Sequence, residues 1–185
     1  MFPIKQAPHF FTENQIRKLL SIEKLSPRDK AILTLFVSTG LRSSELLALN
    51  FDDVDENWVY VRNGKGGKAR IVPLTLEAKR VLEPVLLRCY ELKSPVFVNQ
   101  LDGERLSRRG LHRIVTAHMK AAGLKGSCHS LRHTAAVRWL GAGLTLPEVQ
   151  ILLGHSLLSS TGVYLKVPTQ GLLQKFQNCM SKLAA

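Results

Sequence analysis

The chain has 185 residues, 45% of them hydrophobic, and carries 26 lysines and arginines against 14 aspartates and glutamates, a formal charge of +12. That length and apolar content exclude a disordered chain and suffice for one domain with a buried core, while the positive excess points to a polyanionic partner, nucleic acid first. Three cysteines in no CxxC pair argue against a disulfide framework or zinc knuckle, and with neither a signal-peptide pattern nor about 18 uninterrupted apolar residues the expected location is the cytoplasm, with no membrane contact.

Thr12 and Gln15 form a capping box ahead of the first predicted helix, and Ser26-Pro27-Arg28-Asp29 places a cap, a first-turn proline and an acid before "AILTLFVSTG", which Gly40 should close. "LRSSELLALN" reads as a short third helix. "NWVYVRN" and "ARIVPL" alternate like strands around "GKGGK", a hairpin with a basic tip. A longer helix is expected from Thr75 toward Tyr90, kinked or divided by Pro84, which lacks a backbone donor. "PVFVN" is a short extended piece, Ser107 can cap a helix through about Ala122, and Ser130 can cap "LRHTAAVRWLGAG". Pro147 opens "PEVQILLG", and Leu172, Phe176, Met180 and Leu183 follow a helical spacing near the end. The expected fold class is mainly α with a small antiparallel β-sheet (α+β), in a single domain over residues 1–185 whose last helix covers about 169–183.

Charge is unevenly distributed along this path. Between Glu104 and Glu148 no acidic residue occurs, yet eight arginines or lysines do. Ordinary solvated faces mix signs, so a one-signed block of this length suits phosphates. Arg105, Arg108, Arg109 and Arg113 within it, with Arg62, Lys68 and Arg70 around the hairpin tip, are the expected DNA contacts.

Several polar residues stand where structure alone does not require them. Arg42 begins a helix, where its guanidinium would lie beside free backbone N–H groups and could bind an anion; a plain surface arginine is the alternative. His129 and Arg132 share one face at the start of another helix, although a capping histidine would look the same. Lys65 on the hairpin tip could reach into a cleft or merely solvate. His155 could cap a turn after Gly154, and Tyr164, taken alone, reads as core.

Taken in order, Arg42 in "TGLRSSEL", Lys65 in "GKGGKARIVPL", His129 and Arg132 in "HSLRH", His155 in "LLGHS" and Tyr164 nine residues later resemble the catalytic signature of the tyrosine recombinases, the phage integrase family. The resemblance spans about residues 10 to 167 and includes the flanking frames, among them Glu45 three residues after the first arginine and "IVPL" after the lysine hairpin. It implies cleavage and rejoining of double-stranded DNA through a covalent 3′-phosphotyrosyl intermediate, without metal, ATP or other cofactor. Tyr164 would be the nucleophile, Arg42 and Arg132 the clamp on the non-bridging oxygens, and His155 a further donor. His129 would be the base, Lys65 the acid for the leaving 5′ oxygen, and Glu45 an orienting residue. A phenol with an ordinary pKa of about 10 needs such a base or nearby cations to attack at neutral pH. "GKGGK" lacks the spacing of a nucleotide-binding loop.

The family resemblance also implies a homotetramer on DNA from a chain that is monomeric alone, accessory DNA-bending proteins, association with the nucleoid, and a last helix able to dock on a neighbouring protomer. In two respects the chain departs from the family. Only about ten residues precede the first predicted helix, so the usual N-terminal DNA-clamping domain is expected to be absent, and Cys128 stands beside the expected base. Competing readings are a type IB topoisomerase, a helix-turn-helix regulator built on "LTLPEVQILLGHSLLSSTGVYLKV", and a metal site from Cys128, His129 and His133. The regulator leaves Arg42, Lys65 and Tyr164 unexplained.

Overall fold

The computed structural model describes residues 9–62, 69–92, 94–154 and 169–184, and no side chain in 169–173 or 182–184. Helix α1, Glu13–Leu20, is held at its start by the reciprocal box: Gln15 N–H donates to Thr12 Oγ1 at 3.4 Å and Thr12 N–H to Gln15 Oε1 at 2.9 Å. Helix α2, Pro27–Thr39, has Ser26 as N-cap and ends at Gly40, whose φ of 57° is left-handed. Ten of its thirteen residues are buried. A helix buried on nearly every side is a central post, and the rest of the domain packs around it.

Helix α3, Ser43–Ala48, starts immediately beyond the Gly40 turn, and a single 3₁₀ turn at Phe51–Asp53 leads to β1, Trp58–Val61. Strand β2, Arg70–Pro73, pairs with β1 antiparallel in the register Trp58↔Pro73 through Val61↔Arg70. The tip of this hairpin, with Lys65 and Lys68, lies outside the described residues. Helix α4, Leu76–Leu92, runs unbroken through Pro84, contrary to the expected division. The reason is lateral: Ala78, Leu82, Val85 and Cys89 form a buried stripe that holds both halves on the core, while Pro84 stands on the exposed side.

Helix α5, Arg108–Ala121, is capped by Ser107. Helix α6, Cys128–Gly141, begins three residues earlier than the expected Ser130 cap would allow. Ser127 is its N-cap, and the Ser130 hydroxyl accepts from Ser127 N–H at 3.4 Å. Helix α7, Leu146–Leu153, ends at Gly154 with φ of 65°. Helix α8 is Thr169–Ala184.

Two apolar clusters result. The larger unites α1 to α5 and the start of α6; the smaller joins Trp139 of α6, Leu152 and Leu153 of α7, and Phe176 and Met180 of α8. Within this single chain α8 is anchored by the fully buried Phe176, whose ring meets Trp139 edge-on at 6.0 Å, and by Lys175 Nζ, 2.8 Å from Glu148. Among the described residues no helix is long and apolar enough to cross a membrane. The architecture is thus mainly helical with one small antiparallel sheet.

Candidate active site

The Gly40 turn and the end of α7 bring together residues far apart in sequence, and a buried carboxylate sits at the centre. Glu45, on the first turn of α3 and 4% exposed, accepts from Arg42 N–H at 2.7 Å and from Arg42 Nη1 at 2.7 Å. Arg70, on β2, presents both terminal nitrogens to the two Glu45 oxygens at 2.8 Å each. Arg132, on the first turns of α6, approaches Glu45 Oε2 to 3.9 Å. Burial alone would raise the Glu45 carboxyl's pKa; hydrogen bonds and charge from Arg70, helped by Arg42, overcome it and hold the pKa at about 2.

Three consecutive carbonyls at the C-terminal end of α7 complete the cluster, each taken by a different arginine. Leu152 O accepts from Arg70 Nε at 2.8 Å, Leu153 O from Arg132 Nη2 at 2.7 Å, and Gly154 O from Arg42 Nη2 at 3.1 Å. Helix ends leave such carbonyls unpaired and carry partial negative charge, so guanidinium donors are their natural partners. Arg132 Nη1 also donates to Gly40 O. Burial, and then the charge of Arg42, bring the Arg132 pKa down to about 10, with Glu45 resisting, so the group stays cationic at neutral pH.

Arg42 was expected to lie beside free N–H groups at a helix start. It is the N-cap residue of α3, but its guanidinium is held by Glu45 and by the end of α7 instead. Its side chain is 24% exposed, against 8% for Arg132. Arg42 opens onto a cavity of about 370 Å³ whose wall also includes Ser43, Ser44, Arg108, His112, Ser127, Cys128 and His129. No carboxylate is among these residues, so the cavity suits an anion. Behind His129, one turn along α6, His133 faces it: the two Nε2 atoms are 2.9 Å apart and the rings meet edge-on. Cys128 is buried, and that burial pushes its thiol pKa up, the behaviour of an inert core cysteine.

Of the expected DNA contacts, Arg108, Arg109 and Arg113 are exposed on α5. Arg62 is exposed and pairs with Asp53. Two others are placed differently. Arg70, its side chain 9% exposed, is turned inward onto Glu45 and Leu152, because β2 delivers it beneath α7. Arg105 uses Nη1 to brace Leu47 O at 2.7 Å and Leu49 O at 3.2 Å, and Nη2 to reach Asn50 Oδ1 at 2.7 Å. Lys65, Lys68, His155 and Tyr164 lie outside the described residues; the chain leaves α7 at Gly154, directly before His155. His112, missed in the sequence, is four residues after Arg108 on α5, a spacing that puts both on one helix face. Among the described residues no group of three metal-ligating side chains is placed to hold an ion.

The description "Phage integrase family" belongs to the family model that matches residues 9–170. The tyrosine recombinase XerC of Thermodesulfovibrio yellowstonii is 41% identical over 191 residues, covering 94% of this chain and 63% of that protein. XerC of Chlamydia caviae is 38% identical over 175 residues, covering 88% and 56%. The chain therefore spans less than two thirds of the length of these curated relatives. Among solved structures, XerA recombinase gives a TM-score of 0.77 at 28% identity over 93% of this chain and 65% of that one. XerH bound to its difH substrate in a pre-cleavage complex gives 0.71 at 27% identity over 94% and 55%. Neither the regulator nor the topoisomerase reading is favoured by these likenesses. The arginine-rich cluster around Glu45 thus sits in a frame shared with known recombinases, and the chain belongs to the phage integrase family of tyrosine recombinases, whose catalytic-domain fold it has.

Proposed function

We propose that this chain supplies the strand-cleaving and strand-joining chemistry of a site-specific DNA recombinase. The observation that carries the proposal is the convergence of Arg42 and Arg132 on Glu45 and the end of α7, beside a carboxylate-free cavity lined by Arg42, Arg108 and His129. Each guanidinium has five N–H donors, and the protein contacts use only some of them, leaving others for non-bridging phosphate oxygens. Because Glu45 and the helix-end carbonyls hold the forks before substrate arrives, charge that builds on phosphorus-bound oxygens in the transition state meets donors already in place.

Tyr164 attacks the phosphorus and the 5′ oxygen leaves, forming a 3′-phosphotyrosyl ester that a second 5′ hydroxyl can reverse without ATP. His129 takes the phenol proton, Lys65 gives a proton to the leaving oxygen, and His155 donates to the phosphate. Arg108, Arg109 and Arg113 of α5, with Arg62 and Lys68 at the hairpin, grip the DNA backbone. The working form is a homotetramer on DNA assembled from monomers with help from DNA-bending proteins, in the cytoplasm at the nucleoid. XerH, a structural relative, has been captured on its own DNA substrate, which supports duplex DNA as the partner.

A nicked suicide duplex carrying candidate sites tests the proposal. An SDS-stable protein–DNA adduct should form and vanish in Tyr164→Phe. Arg42→Ala or Arg132→Ala should cost about 3 kcal/mol of transition-state stabilisation. An adduct that survives Tyr164→Phe would reassign the nucleophile.

A further inference from the structure

We infer that His133 is a positioning residue for His129, accepting the Nε2–H of His129 so that the other ring nitrogen, Nδ1, is the atom that takes a proton in the reaction. The inference rests on the assignment of His129 as base made above. Its geometric basis is the 2.9 Å separation of the two Nε2 atoms across one turn of α6, with ring centroids 4.3 Å apart and planes at 83°.

Two imidazole nitrogens at that distance hold one hydrogen between them. Two hydrogens would collide, and none would leave two lone pairs facing each other. The pair therefore has two neutral arrangements. If His133 donates, His129 must carry its hydrogen on Nδ1, and neither of its nitrogens can act as a base. If His129 donates, its Nδ1 has a free lone pair, and His133 carries its own hydrogen on Nδ1. Only the second arrangement is competent. When the attacking hydroxyl passes its proton to His129 Nδ1, the new imidazolium keeps its Nε2–H bond to His133, and that bond strengthens with the charge. Nothing else changes protonation in the step.

The surroundings favour His133 as the neutral acceptor. His129 lines the cavity and His133 does not, so His133 stands behind its partner relative to substrate. Burial, then the charges of His129 and Arg132, hold the His133 pKa below the ordinary imidazole value. Across the cavity the titratable and charged groups facing His129 are Arg42 from the start of α3 and Arg108 and His112 from α5. All are cationic or imidazole, and a second positive charge on His133 would add to their repulsion. A neutral imidazole acceptor thus orients the base without cancelling the positive field that an anionic substrate needs.

Nitrogen-15 NMR of the full 185-residue chain at neutral pH reads the arrangement directly. The expected result is His129 bearing hydrogen on Nε2 and none on Nδ1, with a coupling across the hydrogen bond between the two Nε2 nuclei. Hydrogen on His129 Nδ1, or no coupling, would overturn the inference whether or not the chain cleaves DNA alone. Single-turnover adduct formation against pH supplies the second readout. His133→Leu should lower the plateau rate, because the imidazolium loses its acceptor. His133→Gln, whose amide oxygen can accept the same N–H, should keep the wild-type profile. An unchanged profile in His133→Leu would also overturn the inference. A His129→Ala protein that forms the adduct at the wild-type rate would instead remove the assignment of His129 as base, and with it the role given to His133.

Discussion

Replacing Glu45 by glutamine removes the one negative charge among Arg42, Arg70 and Arg132 while nearly conserving shape. The size of the effect follows from the carboxyl's displacement from its ordinary 4.5 to about 2, worth about 3 kcal/mol at roughly 1.4 kcal/mol per unit. The Glu45 side chain is 2% exposed, so solvent screening takes little from that figure. A carboxyl depressed on folding contributes its stabilisation fully above the unfolded value and loses it as pH falls toward the folded one. In wild type this contribution should therefore be complete above about pH 5 and fade toward pH 2. Glu45→Gln has nothing to titrate there and leaves three guanidinium groups without a counter-charge, a change of about 3 kcal/mol or somewhat more at pH 7. Urea unfolding of both proteins at intervals from pH 7 to pH 2 should give a large stability difference that closes as pH falls. Parallel curves across pH 5 to 2.5 would refute the account of Glu45 as an ionised hub. Adduct formation should fall at pH 7 as well, since Arg42 and Arg132 lose their common anchor.

Gly40→Ala puts a Cβ on a residue at φ of 57°, 2.9 Å from Leu153 Cδ2 and 3.2 Å from the Trp139 ring. Strain and overpacking together should cost about 2–4 kcal/mol in thermal or urea unfolding, and an unchanged midpoint would show that the turn is looser than described. The contrast between Arg105 and Arg109 separates bracing from DNA contact. Arg105→Ala should lower stability by about 1–3 kcal/mol, through the loss of its bonds to Leu47, Leu49 and Asn50, with little change in the salt slope of DNA binding. Arg109→Ala should leave stability within about 0.5 kcal/mol and reduce that slope by about one. The reverse pattern would exchange their roles.

Where a structural signal is local, it was legible in the sequence. The caps at Thr12, Ser26 and Ser107 and the stop at Gly40 each depend on side chains within four residues, and all four are found. The β1–β2 pairing likewise follows from alternation on either side of one glycine-rich turn. Pro84 misled because its local effect is real but smaller than the burial of four side chains along the same helix. Arg70 misled for a related reason. An arginine near a basic tip reads as surface charge, and only the packing of β2 beneath α7 turns the Arg70 fork inward. The His129–His133 contact follows from residues four apart on a helix being neighbours, whereas the shared hydrogen depends on ring rotamers that spacing does not fix.

The arginine cluster itself carries an energetic argument that no single residue conveys. Three guanidinium groups converge on one carboxylate, which leaves a net charge of about +2 in a largely buried volume, an arrangement that would repel itself without further partners. Part of the compensation is dipolar: Leu152, Leu153 and Gly154 offer successive carbonyls from the negative end of α7, one to each arginine. Dipoles relieve the repulsion without neutralising it, so the cluster stays folded yet still short of negative charge. Because Arg132 keeps its proton to about pH 10, that shortage persists at every pH where DNA is stable in cells. The remaining positive charge emerges where Arg42 is most exposed, at the cavity lined by Arg108 and His129. Glu45 and the end of α7 therefore do the same physical work from opposite sides. They hold the arginines together, and they stop short of full charge compensation, so the cluster stays electropositive.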